Sequence, residues 1–528
     1  MKPNSEQEAV IDAFLSESGS IAINALAGTG KTTTLKMAAA AAPSKRIQYI
    51  AFNRAIADDA KSKMPQNTEV STMHSLAYRA MKPDRSRLEL RLNGGFIAQQ
   101  FSVRKSRANT GIGVIDISPA LIGSMALETV SRFCNSNGSA LSLSHVPSWS
   151  RVFEVVPADI DRDEALKDVV FQLALKVWSA MRDRNSQFPI THDTYLKLWA
   201  LASGQINTDV VFFDEAQDAS GVFLQVLNNQ IDRRIVFVGD QNQQIYAWRG
   251  AIDALQRIRA DQRFYLTRSY RFGPKIAGQA NRMLRCLGES HLLIGEGGGG
   301  YTDDSRAVLC RTNAVAITHF CETPDAELVG SKEFLSLVRS LGNLMAGRGS
   351  AGAFALFPSY TSLIEYTQTQ DGGDLKPLID LVERRGIDDV LCRLEQSSTR
   401  SSARGGVVIS TVHKAKGREW DSVRIEDDWR NPKKVARADE MRLMYVALTR
   451  GRCSVDASAV AGFLSACEEI ESQKMDLLEP GVADDVSDTP TSEVQGIIEQ
   501  AKRRAAQTDL ATPKPARKAR KGRKRVEL

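Results

Sequence analysis

Apolar residues occur along this chain in two rhythms, and the way the rhythms alternate suggests its architecture. Solid apolar runs at 21–26 and 47–52 enclose a glycine turn and an alanine-rich stretch, the signature of strand, loop and helix. From about 81 to 200 the pattern becomes mostly helical, with apolar residues three and four apart over 166–181. Val210–Phe213 and 235–238 are again solid runs, each ending in acidic residues. Strand signals return at 307–310, Val407–Thr411 and 423–425. Strands alternating with helices in both halves predict an α/β fold with two parallel-sheet cores covered by helices. The glycine run at 297–300 predicts a loop, and beyond about 475 acidic, Ser/Thr-rich sequence gives way to Ala/Lys/Arg/Pro repetition that cannot bury a core.

Composition narrows the class. With 42% hydrophobic and 25% charged residues over 528 positions, the chain is long enough for two to four globular domains. No apolar run approaches the roughly 20 residues that span a bilayer, and residues 1–7 lack an apolar leader core. The seven cysteines are scattered without a CxxC pair, which argues against a zinc site or disulfide framework. An intracellular enzyme is expected, cytoplasmic and nucleoid-associated, or nuclear in a eukaryote. The net charge of +6 is unevenly placed: residues 502–528 carry 11 Lys/Arg against 2 acidic residues, so the rest of the chain is slightly negative. Bulk charge therefore points to nucleic acid only through the tail, expected to be a disordered electrostatic arm or a targeting signal.

Three motifs carry chemistry. Ala25-Leu-Ala-Gly-Thr-Gly-Lys-Thr32 follows a strand and opens a helix. Backbone N–H groups of such a loop cradle phosphates, Lys31 reaches the terminal oxygens and Thr32 holds Mg²⁺. About 180 residues on, Phe213-Asp-Glu-Ala-Gln-Asp218 places Asp214 to hold the metal and Glu215 to polarise an attacking water. Together they predict a nucleoside-triphosphate hydrolase. Gly239-Asp-Gln-Asn-Gln-Gln-Ile-Tyr-Ala-Trp-Arg-Gly250 combines phosphate-sensing amides with Tyr246 and Trp248, aromatics able to stack on unpaired bases beside Arg249. Arg271 and Arg450 are candidates for the positive charge that phosphoryl transfer needs, although spacing alone does not distinguish them from surface arginines.

The ordered set resembles the superfamily 1 helicases of the UvrD/Rep type: the AxAGxGKT loop, Ile50-Ala-Phe-Asn-Arg54, Thr72-Met-His-Ser-Leu76, the DEAQD box, GDxxQxIYxWRG, Ser410-Thr-Val-His-Lys-Ala-Lys-Gly-Arg-Glu-Trp420 and Tyr445-Val-Ala-Leu-Thr-Arg450. Finer stretches, His192-Asp-Thr-Tyr-Leu-Lys-Leu-Trp199, Tyr270-Arg-Phe-Gly273 and Thr411-Val-His-Lys-Ala-Lys-Gly417, most resemble the F-box DNA helicases. With Gln7 so near the start, no preceding F-box is expected, and the ubiquitin-ligase role of the eukaryotic members is not carried over.

The resemblance implies two RecA-like cores: 1–80 with 191–265 around a helical insertion at 81–190, and 266–315 with 405–475 around a reduced insertion at 316–404, followed by the tail at 476–528. It implies ATP and Mg²⁺ as cofactors, with Lys31, Asp214, Glu215, Gln243, Arg271 and Arg450 catalytic and Thr32 and Asp214 on the metal. Gln7, Ala27, Gly28, Thr29, Gly30, Lys31, Thr32, Thr33, Tyr270 and Glu419 would surround the nucleotide; Thr33 stands where relatives often have arginine, which removes one phosphate contact. Phe52, Asn53, Thr72, His74, Tyr246, Trp248, Arg249 and His413 would contact the strand. The implied activity is that of a monomeric 3′→5′ DNA helicase and single-strand translocase, acting on single strands and duplex junctions and not on membranes. The alternative is a DNA-stimulated ATPase that remodels protein–DNA complexes or serves a partner, with little unwinding.

Overall fold

The computed structural model describes residues 2–16, 19–90, 92–110, 113–149, 163–230, 232–245, 255, 258, 260–297, 304–348, 354, 357, 359–368, 373–399, 406–430 and 437–476. Met1–Glu471 form one compact unit, described here; of the second, Ser472–Leu528, only 472–476 are described. The basic tail and the 298–300 part of the glycine loop lie outside the described residues.

The chain opens with a helix, Ser5–Leu15, started by a reciprocal cap between Asn4 and Gln7. Strands β1 (Ile21–Ala25), β2 (Ile47–Ala51) and β3 (Thr68–Thr72) follow, each leading into a helix. After β3 the chain leaves the sheet for about 130 residues. That excursion holds an antiparallel hairpin, β4 (Ser106–Thr110) with β5 (Gly113–Ile117), and long helices at Pro119–Asn135 and Glu164–Arg182. It has its own core, where Phe133 meets Trp178 edge to face. The described part of 81–190, expected to be mostly helical, contains these long helices and the hairpin as well.

Strands β6 (Val210–Phe213), β7 (Arg234–Gly239) and β8 (Gln262–Leu266) complete a six-stranded parallel sheet in the order β3-β2-β6-β7-β1-β8. Period-two alternation sets its two faces. Ile21, Ile23, Tyr49, Val210, Phe212, Val236 and Val238 join Val10, Phe14 and Leu35 on one side. Ala22, Ile50, Val211, Phe213 and Phe237 join Met73, Trp199 and Phe223 on the other. Lys197, on the helix His192–Leu201, ties the excursion to this sheet. Its buried ammonium donates to the carbonyls of Ser136 (2.9 Å) and Gly138 (2.6 Å) and to Gln225 (3.1 Å).

Beyond β8, the short pair β9 (Arg268–Ser269) and β10 (Ile294–Gly295) leads into a second parallel sheet. It comprises β11 (Arg306–Cys310), β12 (Glu327–Leu328), β13 (Val407–Thr411), β14 (Trp420–Ile425) and β15 (Gly451–Asp456), ordered β12-β13-β11-β14-β15. The expected insertion boundary at 316 falls inside the helix Asn313–Glu322, and β12 pairs with β13. Helices Ser331–Met345, Lys376–Arg385 and Ile387–Thr399 bury Phe334, Leu341, Leu381 and Leu394 in the same cluster as Cys310 and Ile409 of the sheet. The described part of 316–404 is thus fused to the second lobe through a shared core.

One tether on this lobe is sensitive to pH. His319 lies 3.2 Å from the buried Glu426 at the end of β14. The Glu426 hydrogen bond raises the imidazole above its ordinary 6.5 against the opposing effects of burial and Arg424, while His319 lowers Glu426. A raised histidine contributes stability fully below 6.5 and loses it as pH climbs through the folded value. The melting-temperature gap between wild type and His319→Gln is therefore expected to be widest near pH 5.5 and to close by about pH 8.5. A gap independent of pH would show that the pair contributes through packing alone.

Candidate active site between the two sheets

The loop after β1 is shaped by two left-handed glycines, Gly28 at φ +75° and Gly30 at φ +81°, before the helix Lys31–Ala41 begins. Gly30 caps that helix without a side-chain hydrogen bond, and the first amides of a helix have no intrahelical partner, so the loop presents N–H groups to an anion. A Cβ at Gly28 would stand 2.5 Å from Ser269 Oγ and 2.6 Å from Arg271 Cβ. The turn after β9 therefore covers the loop, and only glycine fits beneath it.

The acidic box sits beside this loop at the end of β6. Asp214 is buried, and the Tyr49 hydroxyl from β2 donates to its carboxylate. Burial, then the Glu215 charge, raise the Asp214 carboxyl above its ordinary range. Glu215 adopts φ +54°, a costly left-handed conformation for a residue with a Cβ, and its carboxylate lies 3.9 Å from Lys31 Nζ. Burial alone would raise Glu215, but Lys31, Lys416 and Arg450 outweigh it and hold it below the usual value. Gln217 donates to the same carboxylate.

The second lobe closes the site with cations. Arg450 is only 2% exposed; its guanidinium donates to Val446 O (2.9 Å), Arg418 O (3.3 Å), Thr449 Oγ1 (3.2 Å) and Gln243 Oε1 (3.3 Å). Burial and the neighbouring Arg271 bring it down to about 9. Gln243 also donates to Asp240 (2.8 Å), so one amide joins a carboxylate of the first lobe to an arginine of the second. Arg271 pairs with Glu419 (2.6 Å) and donates to Thr449 O (3.0 Å). Lys416 bridges Asp218 to the Gln243 carbonyl, and the Tyr445 hydroxyl accepts from Ala27 N–H and donates to Asp240, both at 3.0 Å.

The remaining nucleotide candidates line one rim of the loop. Gln7 is buried and donates to Thr34 (3.1 Å), with its amide nitrogen 3.3 Å from the Cβ position of Gly30. Tyr270 is exposed beside Gly30, its hydroxyl accepting from Asn4 (2.8 Å). Thr29 bonds back to Leu26 O (2.8 Å), and Thr32 and Thr33 begin the helix. The strand-contact candidates form a separate group. Register pairs Ala51 with Thr72, setting exposed Phe52 and Asn53 beside Thr72 at the ends of β2 and β3. Asn53 and Thr72 both cap the helices that follow. His74 is turned inward, 2.9 Å from Asp193 and edge-on to Tyr195 and Phe223. His413 follows β13 in the short helix Val412–Ala415. Tyr246, Trp248 and Arg249 lie outside the described residues.

Two lobes of parallel sheet face each other across a phosphate-type loop, which makes this a two-lobed P-loop architecture. Family models identify it further: the UvrD/REP helicase N-terminal domain matches residues 4–262 and the UvrD-like helicase C-terminal domain matches 358–455. The chain belongs to the UvrD-like helicase family. It is 28% identical to F-box DNA helicase protein 1 of Schizosaccharomyces pombe, over 85% of this chain and 56% of that protein. With F-box DNA helicase 1 of Gallus gallus the identity is 26%, over 86% and 48%. With the ATP-dependent DNA helicase UvrD2 of Mycobacterium tuberculosis it is 22%, over 84% and 76%. The chain spans about half the length of the F-box relatives it matches.

Tyr49, Lys416, Asp240 and Tyr445 hold the site together, yet none was singled out for a role from sequence. A tyrosine inside an apolar strand was the available signal, because a buried phenol needs a partner for its hydroxyl. The oxygen donors of Thr32 and Asp214 suit a hard cation such as Mg²⁺, and a hydrogen bond from Tyr49 links Asp214 to β2. Tyr49→Phe removes that link and is expected to raise the Mg²⁺ concentration giving half-maximal ATP hydrolysis roughly tenfold. An unchanged Mg²⁺ requirement with a lowered melting temperature would assign Tyr49 to packing.

Proposed function

We propose that this chain is an ATP-driven motor that moves 3′→5′ along single-stranded DNA and unwinds the duplex ahead of it. The observation that carries the reading is Gln243, held between Asp240 on the first sheet and Arg450 on the second lobe. A group that senses phosphate at that point reports directly on the fit between the lobes. In this reading 1–80 and 191–265 form the first core around the insertion at 81–190. The second core is 266–315 with 405–475, carrying the reduced insertion at 316–404.

The residues divide the chemistry as follows. The loop amides and Lys31 bind the phosphates, while Gln7 and Tyr270 flank the adenine and Glu419 the ribose. Thr32 and Asp214 would hold Mg²⁺, which supplies charge neutralisation on the phosphate oxygens. Glu215, kept ionised by Lys31 and its neighbours, accepts a proton from the attacking water. Arg271 and Arg450 face the charge that builds on the transferred group. Arg271 is engaged with Glu419 in the structure, so nucleotide entry exchanges a carboxylate partner for a phosphate one and draws the lobes together. Phe52, Asn53, Thr72, His74, Tyr246, Trp248, Arg249 and His413 form the track for the strand. The 3′→5′ direction is supported by the motif resemblance, above all by the DEAQD and GDxxQxIYxWRG boxes.

ATP turnover is expected to rise on adding single-stranded DNA, and duplexes with a 3′ tail should be unwound while those with a 5′ tail are not. Lys31→Ala should lose nucleotide binding. Glu215→Gln should retain it and turn over about 10²–10⁴-fold more slowly. Unwinding only from a 5′ tail would reverse the direction. DNA-stimulated hydrolysis with no strand displacement from either tail would favour a remodelling ATPase.

A further inference from the structure

Glu289 belongs to none of the motifs, yet it reaches the turn that carries Gln243. It lies just past the helix Pro274–Cys286 of the second lobe, with a side chain only 4% exposed. Its Oε2 accepts from Gln241 Nε2 (2.8 Å), Asn242 Nδ2 (3.1 Å) and Asn24 Nδ2 (3.5 Å), all of the first lobe. Its Oε1 accepts from the His291 amide (3.1 Å), and the His291 ring stacks on Tyr265 of β8. Burial would raise this carboxyl, but the surrounding N–H donors outweigh it and keep Glu289 in its charged form. Charged acceptors make roughly twice the hydrogen bond of neutral ones.

The object held is the single turn Gln241–Gln243. Its first two side chains are gripped by Glu289, its third carries the amide facing Arg450, and the chain then enters the 246–249 segment assigned above to the DNA track. We propose that Glu289 is a positioning residue that couples DNA engagement to phosphate sensing, by fixing the 241–243 turn to the second lobe. A carboxylate that moves with the second lobe converts a change between the lobes into a displacement of Gln243. The reverse path takes a pull on the strand-contacting segment to the same glutamine. The assignment rests on the ATP-driven reading given under Proposed function.

The test compares ATP hydrolysis by the full chain alone and with saturating oligo(dT), for wild type, Glu289→Ala, Glu289→Gln, Gln241→Ala and the Glu289→Ala/Gln241→Ala pair. Glu289→Ala is expected to cut the DNA-stimulated kcat about tenfold while leaving the DNA-free rate and the KM for ATP within about twofold. Glu289→Gln keeps one acceptor oxygen for the amides and should recover part of the stimulation. The double variant should lose no more stimulation than Glu289→Ala alone, since both remove one contact. Equal loss of the DNA-free and stimulated rates with a lowered melting temperature would reduce Glu289 to a structural cap. A wild type that responds to DNA beside a Glu289→Ala that responds equally would overturn the coupling role alone. A wild type that hydrolyses ATP without any response to DNA would overturn the motor reading, and the coupling role with it. Should Glu289→Ala fail to fold, Glu289→Gln and Gln241→Ala carry the same comparison.

Discussion

A guanidinium withdrawn from water must be satisfied by protein atoms, and the interface between the two sheets is organised around meeting that demand for Arg450. Two backbone carbonyls, a hydroxyl and the Gln243 amide surround it. Leaving a buried donor without its acceptor costs roughly 1–3 kcal/mol, and more when the donor is charged. Of these four contacts the one to Gln243 crosses between the lobes, so separating them here leaves one guanidinium N–H to be met by water or an anion. Much of the remaining site follows from that constraint. Gln243 must face Arg450, so the turn after β7 is fixed; Asp240 then anchors Gln243, and Tyr445 ties Asp240 to the phosphate loop.

The electrostatic division across the cleft has the same logic. The first lobe contributes the buried carboxylates Asp214, Asp218 and Asp240, with the half-buried Glu215 and the cation Lys31 beside them. The second lobe brings Arg271, Lys416 and Arg450. Each side is poorly balanced alone, and contact relieves both. Burial still leaves Asp214, Asp218 and Asp240 raised, a sign that the positive charge at hand does not fully compensate them. An added divalent cation beside Asp214 acts in the direction that relieves this.

Much of this arrangement was legible in the sequence, and the parts that were not share a physical cause. Strands β1, β2, β6, β7, β11, β13 and β14 announce themselves because parallel strands buried on both faces read as solid apolar runs. The hairpin β4–β5 does not, since its first strand, Ser106-Arg-Ala-Asn-Thr110, is almost wholly polar. β12 is two residues long, too short to show a rhythm in the sequence. At the site, Lys31 and Glu215 stand in motifs that local sequence makes recognisable. Residues that act by reaching across the fold are not so marked. Glu289 meets Asn24 only because β1 and the end of the helix Pro274–Cys286 are brought together, and nothing local to either encodes the meeting.

The position of β1 within its sheet also bears on how the polypeptide emerges from the ribosome. Ile21 pairs with Val236 on one side and Gln262 on the other, so the strand bearing the phosphate loop has no sheet neighbour until β7 (Arg234–Gly239) has been made, and only one until β8 (Gln262–Leu266) follows. The pair β2–β3 can assemble early, and the 81–190 segment, with its own core, can fold during the wait. β1 cannot, and through that interval it is an apolar segment, Ile-Ala-Ile-Asn-Ala, with both edges open. Long-range parallel pairing of this kind is slow and leaves a nascent chain exposed to aggregation. Vectorial synthesis thus delays the enclosure of β1 until residue 266 has been made, and the contacts that Tyr445 and Arg450 bring to the loop and to Gln243 come later still.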